Sequence, residues 1–328
     1  MKRFLSLVLS AALLLLTACT APKEEKQQED TDVITRVMAL SGSTGFGMAG
    51  LMDQSTGGNS EQRYDFSVET DASNVLAALV NGSVDIAALP TNAAALAYQK
   101  TQGQVQLLAL NTRGVLYLLG DGSVPVAAME DLKGQTVYVP AQNPAFIMQY
   151  LCEKNGLQVG SDVILEQRFA QPAELSTALG AGEVHLAVLP EPMVTLACAA
   201  NLDLRVVLDL TEEWDKVAQP GSLVQGCVVV RREFAQKCPQ QVETFLREYE
   251  NSVSLLTEDP ARAAQLIETA GIFAKAAVAE KAMPRLNVCF VTGEEMRRDM
   301  ETYLKILYEI APQSIGGAMP GEDFYYLP

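Results

Sequence analysis

His185 is the only histidine among the 328 residues of this chain, so a metal site built from several imidazoles is impossible. It lies within an apolar strand pattern and has no nucleophile beside it, which makes a Ser-His-Asp relay hard to assemble. Cysteine is sparse as well, six in all with no CxxC pair, so structural zinc has no ligand set. The phosphate-cradling GK[ST] signature is absent. Positive charge is the minority sign: 24 Lys and Arg against 40 Asp and Glu leave a net charge of −16. Acidity of that degree argues against nucleic acid and anionic membrane surfaces as partners. It leaves room for a small anion in a cleft whose local charge opposes the whole. No metal and no cofactor is expected.

What the chain does contain is an internal echo. "NGSVDIAALPTN" (81–92) and "AGEVHLAVLPEP" (181–192) match at an offset of 100 residues. Leu79 and Leu179, Gly82 and Gly182, Val84 and Val184, Leu89 and Leu189, and Pro90 and Pro190 coincide. The match continues in Leu96-Ala97 against Leu196-Ala197, in Val37 against Val137 and in Leu51 against Leu151. A period this long does not suit a solenoid and predicts two similar lobes.

From Val33 onward, short apolar runs alternate with helical stretches: "ITRVMALSGSTGFGMAGLMDQS" reads strand, loop, helix, and "YDFSVETDASNVLAALVNGSVDIAALP" adds strand, helix, strand. The cycle restarts at "LKGQTVYVPAQNPAFIMQYLCEKNGL". Continuous Val, Leu, Ile and Ala strands followed by helices predict an α/β fold with parallel sheets covered on both faces. Pro239–Ala311 is largely helical, with Thr292 and Glu295 at capping-box spacing before its last helix.

The first residues are "MKRFLSLVLSAALLLLTACTAPKEEKQQEDTD". Lys2 and Arg3 precede an apolar run of about fourteen residues, Phe4 to Thr17, which suits a signal peptide and falls short of the roughly 20 needed to span a membrane. The run ends in Leu16-Thr17-Ala18-Cys19, which resembles the lipobox of bacterial lipoproteins and implies cleavage before Cys19 and a lipid on its sulfur. Residues 19–32 then read as a disordered polar tether. Without Lys2 and Arg3, 22 basic residues face 40 acidic ones. Five cysteines remain, Cys152, Cys198, Cys227, Cys238 and Cys289, so at least one lacks an intramolecular partner. Cys152 and Cys227 lie in apolar surroundings that suit buried thiols.

"NGSVDIAALPTNAAAL", "DLKGQTVYVP", "MPRLNVCFVTGEEM" and "SIGGAMPGEDFYYLP", together with the lipobox, resemble ABC-transporter solute-binding proteins. Within them the chain is similar to the nitrate, sulfonate and thiamine-pyrimidine binders. The cysteine-rich motif of some eukaryotic thiamine-pyrimidine relatives is absent. The resemblance implies two Rossmann-like lobes joined by two crossover segments, with the C-terminal helices packed on lobe one. Residues 1–18 would be the signal, 19–32 the lipidated cysteine and tether, 33–116 plus 226–328 lobe one, and 117–225 lobe two. It also implies a monomeric extracytoplasmic protein, lipid-anchored to the bacterial cell membrane, that captures a small polar or heterocyclic molecule by hinge closure. Its partners would be an ABC permease with its ATPase. An enzyme of the same fold acting on a small metabolite, or a ligand-sensing co-receptor lipoprotein, are the alternatives; export and the missing histidines oppose the first.

In open α/β sheets, ligands bind beyond the carboxyl ends of strands, at helix N-termini with free amides. That logic selects Ser43 and Thr44 after the first strand, Thr91 and Asn92 after Leu89-Pro90, and Arg113 where a lobe-one strand exits. In the second lobe it selects Gln142 and Asn143, Gln171 before Pro172, and Glu191 after Leu189-Pro190. Most have a plain alternative: capping for Ser43, Asn92, Gln142 and Asn143, a first-turn carboxylate for Glu191, and a hinge ion pair for Arg113. The glycines of Leu40–Gly47 do not follow G-x-G-x-x-G, which leaves nucleotide binding unsupported. Asp85 and His185 are expected at the opposite ends of their strands. Tyr117 and Trp214 lie near the crossings, and Arg285 and Asn287 in "PRLN" have no role assigned by the sequence.

Overall fold

Strand and helix follow one another as the apolar periods dictate in the computed structural model, which describes residues 33–327. The order begins β1 (Ile34–Leu40), α1 (Ser43–Phe46), α2 (Ala49–Thr56), β2 (Arg63–Glu69), α3 (Ala72–Asn81), β3 (Ile86–Pro90), α4 (Thr91–Lys100), β4 (Val105–Arg113), β5 (Leu116–Gly120). It continues β6 (Thr136–Tyr138), α5 (Asn143–Lys154), β7 (Ile164–Glu166), α6 (Pro172–Gly180), β8 (Leu186–Pro190), α7 (Met193–Ala200), β9 (Arg205–Asp209), α8 (Leu210–Val217), β10 (Val224–Arg231). The last third adds α9 (Arg232–Lys237), α10 (Pro239–Glu258), α11 (Pro260–Thr269), α12 (Ala276–Ala282), β11 (Val288–Val291) and α13 (Gly293–Ile310). The signal, Cys19 and tether assigned from sequence lie outside the described residues. Among the described residues, no helix is long and apolar enough to cross a membrane.

The strands form two sheets, ordered β11-β4-β10-β3-β1-β2 and β7-β6-β8-β5-β9. The echo at offset 100 has a direct structural meaning. β3 and β8 occupy positions exactly 100 residues apart, each completely buried until its final proline. Each follows a glycine in the left-handed region, Gly82 at φ 76° and Gly182 at φ 75°, where a side chain would cost energy.

Both sheets are mixed, where the apolar runs alone predict parallel ones. β1 pairs in parallel with β2 and β3, and β6 with β7 and β8. β10, by contrast, is antiparallel to β3 and β4, and β5 is antiparallel to β8 and β9. The reason is the route of the chain. β4 leaves the first sheet at Arg113 and β5 enters the second at Leu116, while β10 returns from α8 to the first at Val224. A strand arriving from the other sheet enters at the edge where the parallel strands end, so it must run against them. Register fixes this: Gly226 is opposite Pro90, Val224 opposite Arg113, and Leu116 opposite Pro190. The carboxyl ends of the parallel strands in both sheets therefore meet at the crossovers.

α10 and α11 pack on α2 beside the first sheet, as expected of C-terminal helices, but two later helices also reach the second half. α12 touches α7, and α13 lies between α4 and α5. The capping box expected at α13 does not form: Thr292 makes no side-chain cap, and Glu295 turns to Arg113 instead. Trp214 is completely buried, its ring centroid 4.8 Å from Tyr150 and 5.7 Å from Tyr303, so it packs the core and meets no ligand. Cys152 and Cys227 are fully buried thiols. Burial pushes Cys152 up to about 12, and Cys227 donates to the Leu89 carbonyl at 3.4 Å.

Asp85 and His185 do sit at the amino ends of β3 and β8, and Asp85 serves the fold. One carboxylate oxygen accepts from the Arg36 amide at 3.1 Å and its Nε at 2.9 Å. The other accepts from Arg36 Nη2 at 2.6 Å and Arg231 Nη2 at 3.0 Å. Burial alone would raise this carboxyl; the bonds from Arg36 and Arg231 outweigh it and hold the group below the usual carboxylate range. The folded state thus favours the charged form, and the resulting stability is present above about pH 4 and is lost as pH falls through the lowered folded value. Asp85→Asn should cost about 2–4 kcal/mol in urea unfolding at pH 7. The difference from wild type should shrink between pH 4 and pH 2; a difference that stays constant would refute the charge-based account.

Candidate functional site

Three side chains from distant parts of the chain govern the edge where the two sheets meet. Arg113, at the end of β4, donates through Nη1 to the Gly221 carbonyl and to Asp299 at 3.0 Å, and through Nη2 to Glu295 at 3.2 Å. Its charge is therefore matched inside the protein, as the hinge reading has it, and its guanidinium is not open to a ligand. Asn287, a non-glycine residue at φ 45°, donates its carboxamide to the Gly114 carbonyl at 2.5 Å and accepts the Arg113 amide at 3.0 Å. Gly114 itself needs to be glycine: a Cβ there would lie 2.8 Å from Leu223 and collide with the Thr211 hydroxyl. The "PRLN" segment, whose purpose the sequence leaves open, is the clasp over the crossover.

Glu191 begins the loop after β8 and is 1% exposed. Its Oε1 accepts from Arg285 Nε at 2.6 Å and from the Thr195 hydroxyl at 3.1 Å, while Oε2 accepts from the Thr195 amide at 3.1 Å. Arg285 Nη2 also donates to the Thr195 hydroxyl at 3.0 Å, and the Arg285 carbonyl accepts from Tyr117 at 2.8 Å. The cation that this carboxylate meets is thus Arg285 of the chain itself. Burial raises the Glu191 carboxyl above its ordinary value, with Arg285 and Thr195 opposing the rise.

Thr91 and Asn143, predicted from separate lobes, are brought together by Tyr303 of α13. The Tyr303 hydroxyl donates to Asn143 Oδ1 at 3.1 Å and lies beside the Thr91 hydroxyl. Thr91 in turn donates to the Val224 carbonyl at 2.8 Å. All three residues are buried, so this is a packed junction of α4, α5 and α13. No sequence signal exposes it, because Tyr303 falls in the ordinary apolar stripe of Met296, Met300, Leu304 and Leu307.

The remaining candidates keep their polar groups free. Asn92 is 7% exposed, yet its carboxamide has no hydrogen-bond partner among the described residues. It does not cap α4, whose N-cap position is Pro90. The hydroxyls of Ser43 and Thr44 are likewise without side-chain partners, in a short helix fixed from behind: Asn111 donates to the Thr44 carbonyl at 2.9 Å, and the Ser41 hydroxyl to the Ile272 carbonyl at 2.8 Å. Gln142, at φ 66°, and Gln171 are exposed at the starts of α5 and α6, and neither makes a capping bond.

Extending the glycine window of "LSGSTGFG" to Gly50 completes a Gly45-x-Gly47-x-x-Gly50 spacing, which corrects the sequence reading. The structure gives it a packing role. A Cβ on Gly47 would lie 2.9 Å from the Tyr249 hydroxyl, and one on Gly50 2.7 Å from that of Ser252, so these glycines let α1 and α2 approach α10.

Removing the cation beside Glu191 gives a test with a definite sign. A carboxyl raised in the folded state contributes stability that is present below its unfolded value near pH 4.5 and is lost as pH rises through the folded value. Arg285→Ala raises the folded value further. The variant should lose about 2 kcal/mol at pH 7.5 and recover part of it by pH 5; equal losses at both pH values would show that Arg285 does not stabilise the Glu191 charge.

Comparison with known proteins places this geometry in a family. The family described as "ABC transporter, phosphonate, periplasmic substrate-binding protein" matches residues 52–280, well over half of the chain. No curated protein sequence matches it. Among solved structures, an ABC transporter from Parabacteroides distasonis is 22% identical, with a TM-score of 0.75 over 90% of this chain and 99% of that one. The periplasmic aliphatic sulphonate binding protein SsuA from Escherichia coli is 16% identical, with a TM-score of 0.72 over 90% and 92%. The alkanesulfonate-binding protein SsuA from Xanthomonas axonopodis pv. citri, bound to MOPS, is 14% identical, with a TM-score of 0.62 over 84% and 92%. At these identities the structures share the fold, the type expected from the resemblance. This chain belongs to the phosphonate family of ABC-transporter periplasmic substrate-binding proteins, and it is the extracytoplasmic solute-binding component of an importer, serving a permease.

Proposed function

We propose that the protein captures a small organic anion with a tetrahedral oxygen-bearing head, a phosphonate or sulfonate, where the carboxyl ends of its two sheets meet. The observation that carries this reading is Asn92: just past the end of β3, its residue is only 7% exposed, yet its carboxamide makes no hydrogen bond among the described residues and so stays open to a ligand. Ser43 and Thr44 in the first half, and Gln142 and Gln171 in the second, supply further uncommitted donors. Such donors suit an oxyanion, whose several oxygens accept many hydrogen bonds. The family description and the sulfonate binders among the similar structures support the same ligand class.

Residues 33–116 with 226–328, and 117–225, would be the two lobes, closing about the crossovers at Gly114 and Ser222. Ligand favours the closed form by its higher affinity for it. With Thr91, Asn143, Arg113 and Glu191 already bonded internally, their part in binding is to fix the lobes' geometry. The reading is of a monomeric binding protein without catalysis, held at the membrane by a lipid on Cys19.

Thermal denaturation of the purified protein against methylphosphonate, ethanesulfonate, sulfate, nitrate and a pyrimidine tests the ligand class. A ligand at 100 times its dissociation constant adds about 2.7 kcal/mol, a shift of a few degrees. The phosphonate or sulfonate should produce it, and Asn92→Ala should weaken binding roughly tenfold. A shift from the pyrimidine alone would replace this reading with the heterocyclic one. Lipid attachment has its own test: labelled palmitate should enter the protein in a bacterial host and be absent from Cys19→Ala, and label retained in that variant would remove the anchor.

A further inference from the structure

Three arginines occupy the edge where the two sheets converge: Arg113 at the end of β4, Arg285 just before β11, and Arg168 in the loop that follows β7. The first two are neutralised by carboxylates, Arg113 by Asp299 and Glu295 and Arg285 by Glu191. The Arg168 guanidinium makes no ion pair and no hydrogen bond among the described residues. Glu166, the nearest acid in sequence, accepts from the Arg168 backbone amide at 2.9 Å, which leaves the guanidinium itself unmatched.

That guanidinium is nevertheless held in place. It stacks 4.6 Å from the Phe169 ring centroid and 5.6 Å from that of Tyr138, and the two rings are 6.2 Å apart. Both rings pack on the buried cluster of Leu175, Leu189 and Val194, so they form a firm seat. Stacking over aromatic faces attracts the cation and orients its plane while leaving the N–H fork at its rim unused. The loop is pinned to its neighbour by two backbone bonds, Val139 to the Glu166 carbonyl at 3.0 Å and Ala141 to the Ala170 carbonyl at 3.1 Å. These bonds set Arg168 beside the loop that carries Gln142.

We propose that Arg168, seated over Tyr138 and Phe169, is the specificity residue that meets the anionic head of the ligand with its guanidinium fork. The inference rests on the oxyanion reading above. A planar fork matches two oxygens of a phosphonate or sulfonate at once, and Arg168 is the cation at this edge whose charge is not already neutralised. It also explains how a protein of net charge −16 attracts an anion: the charge that matters is local.

Calorimetric titration of the full-length protein in detergent tests this, with methylphosphonate and ethanesulfonate as anions and ethanesulfonamide as a neutral counterpart of nearly the same shape. Wild type should bind an anion and prefer the sulfonate to the sulfonamide. Arg168→Gln should bind the anions roughly 10- to 100-fold more weakly and lose that preference. Its melting temperature should stay close to that of wild type, because the side chain is exposed and supports no buried charge. Arg168→Lys, which keeps the charge without the fork, should restore only part of the affinity. Wild-type binding with an unchanged Arg168→Gln would overturn this assignment and leave the oxyanion reading standing. Failure of wild type to bind either anion would overturn both.

Discussion

Everything in this molecule turns on the guanidinium of Arg113. It gathers the end of β4, the carbonyl of Gly221 on the returning segment, and two acids of α13. Arg113 lies more than a hundred residues of chain from each of these partners, and the Asp299 side chain is only 3% exposed. Asp299 also pairs with Arg298 on its own helix, so its buried charge draws on two cations, and Arg113 is the one that ties it to β4 and the returning segment. Around that knot, Gly114 lets Thr211 and Leu223 close in, and Asn287 clasps the backbone of the crossing. A two-sheet protein joined by two thin crossings has few places to define the relation of its halves, and this is one of them.

The other is the row of contacts from the C-terminal third. Tyr303 holds Asn143 on one side of the crossings, and Arg285 holds Glu191 on the other. Both tie an element late in the chain to a loop of the second sheet. The charges and amides that a binding cleft would use are thus divided. Some support the junction, and others, among them Asn92, Ser43 and Thr44, remain without internal partners. Transport proteins that open and close need this division, since a group already bonded within the protein has little to gain from a ligand.

Fold class was legible because periodicity and repetition are properties of the chain itself. Alternating apolar runs marked the α/β pattern, and the match between Leu79–Pro90 and Leu179–Pro190 marked two similar halves. The mixed pairing of β5 and β10 was not legible, since a fully apolar strand has the same pattern in either direction. Site positions were half legible. The ends of β1, β3, β6 and β8 could be found from their loops, which brought Ser43, Asn92, Gln142 and Glu191 to attention. Which of these were free could not be read, because Arg285 lies 94 residues from Glu191 and Tyr303 lies 160 from Asn143. Arg168 drew no notice for the same reason: its significance is the absence of a carboxylate partner.

By itself, then, the sequence determined the elements, the doubled architecture, the burial of Cys152 and Cys227, and the exclusion of multi-histidine metal chemistry. These follow from local spacing and composition, which need no knowledge of distant neighbours. Tertiary structure decided the direction of the crossing strands, the pairing of each arginine, and which polar groups at the shared edge stay unsatisfied. Those are contests between partners far apart in the chain, and only folding brings the competitors within reach of one another.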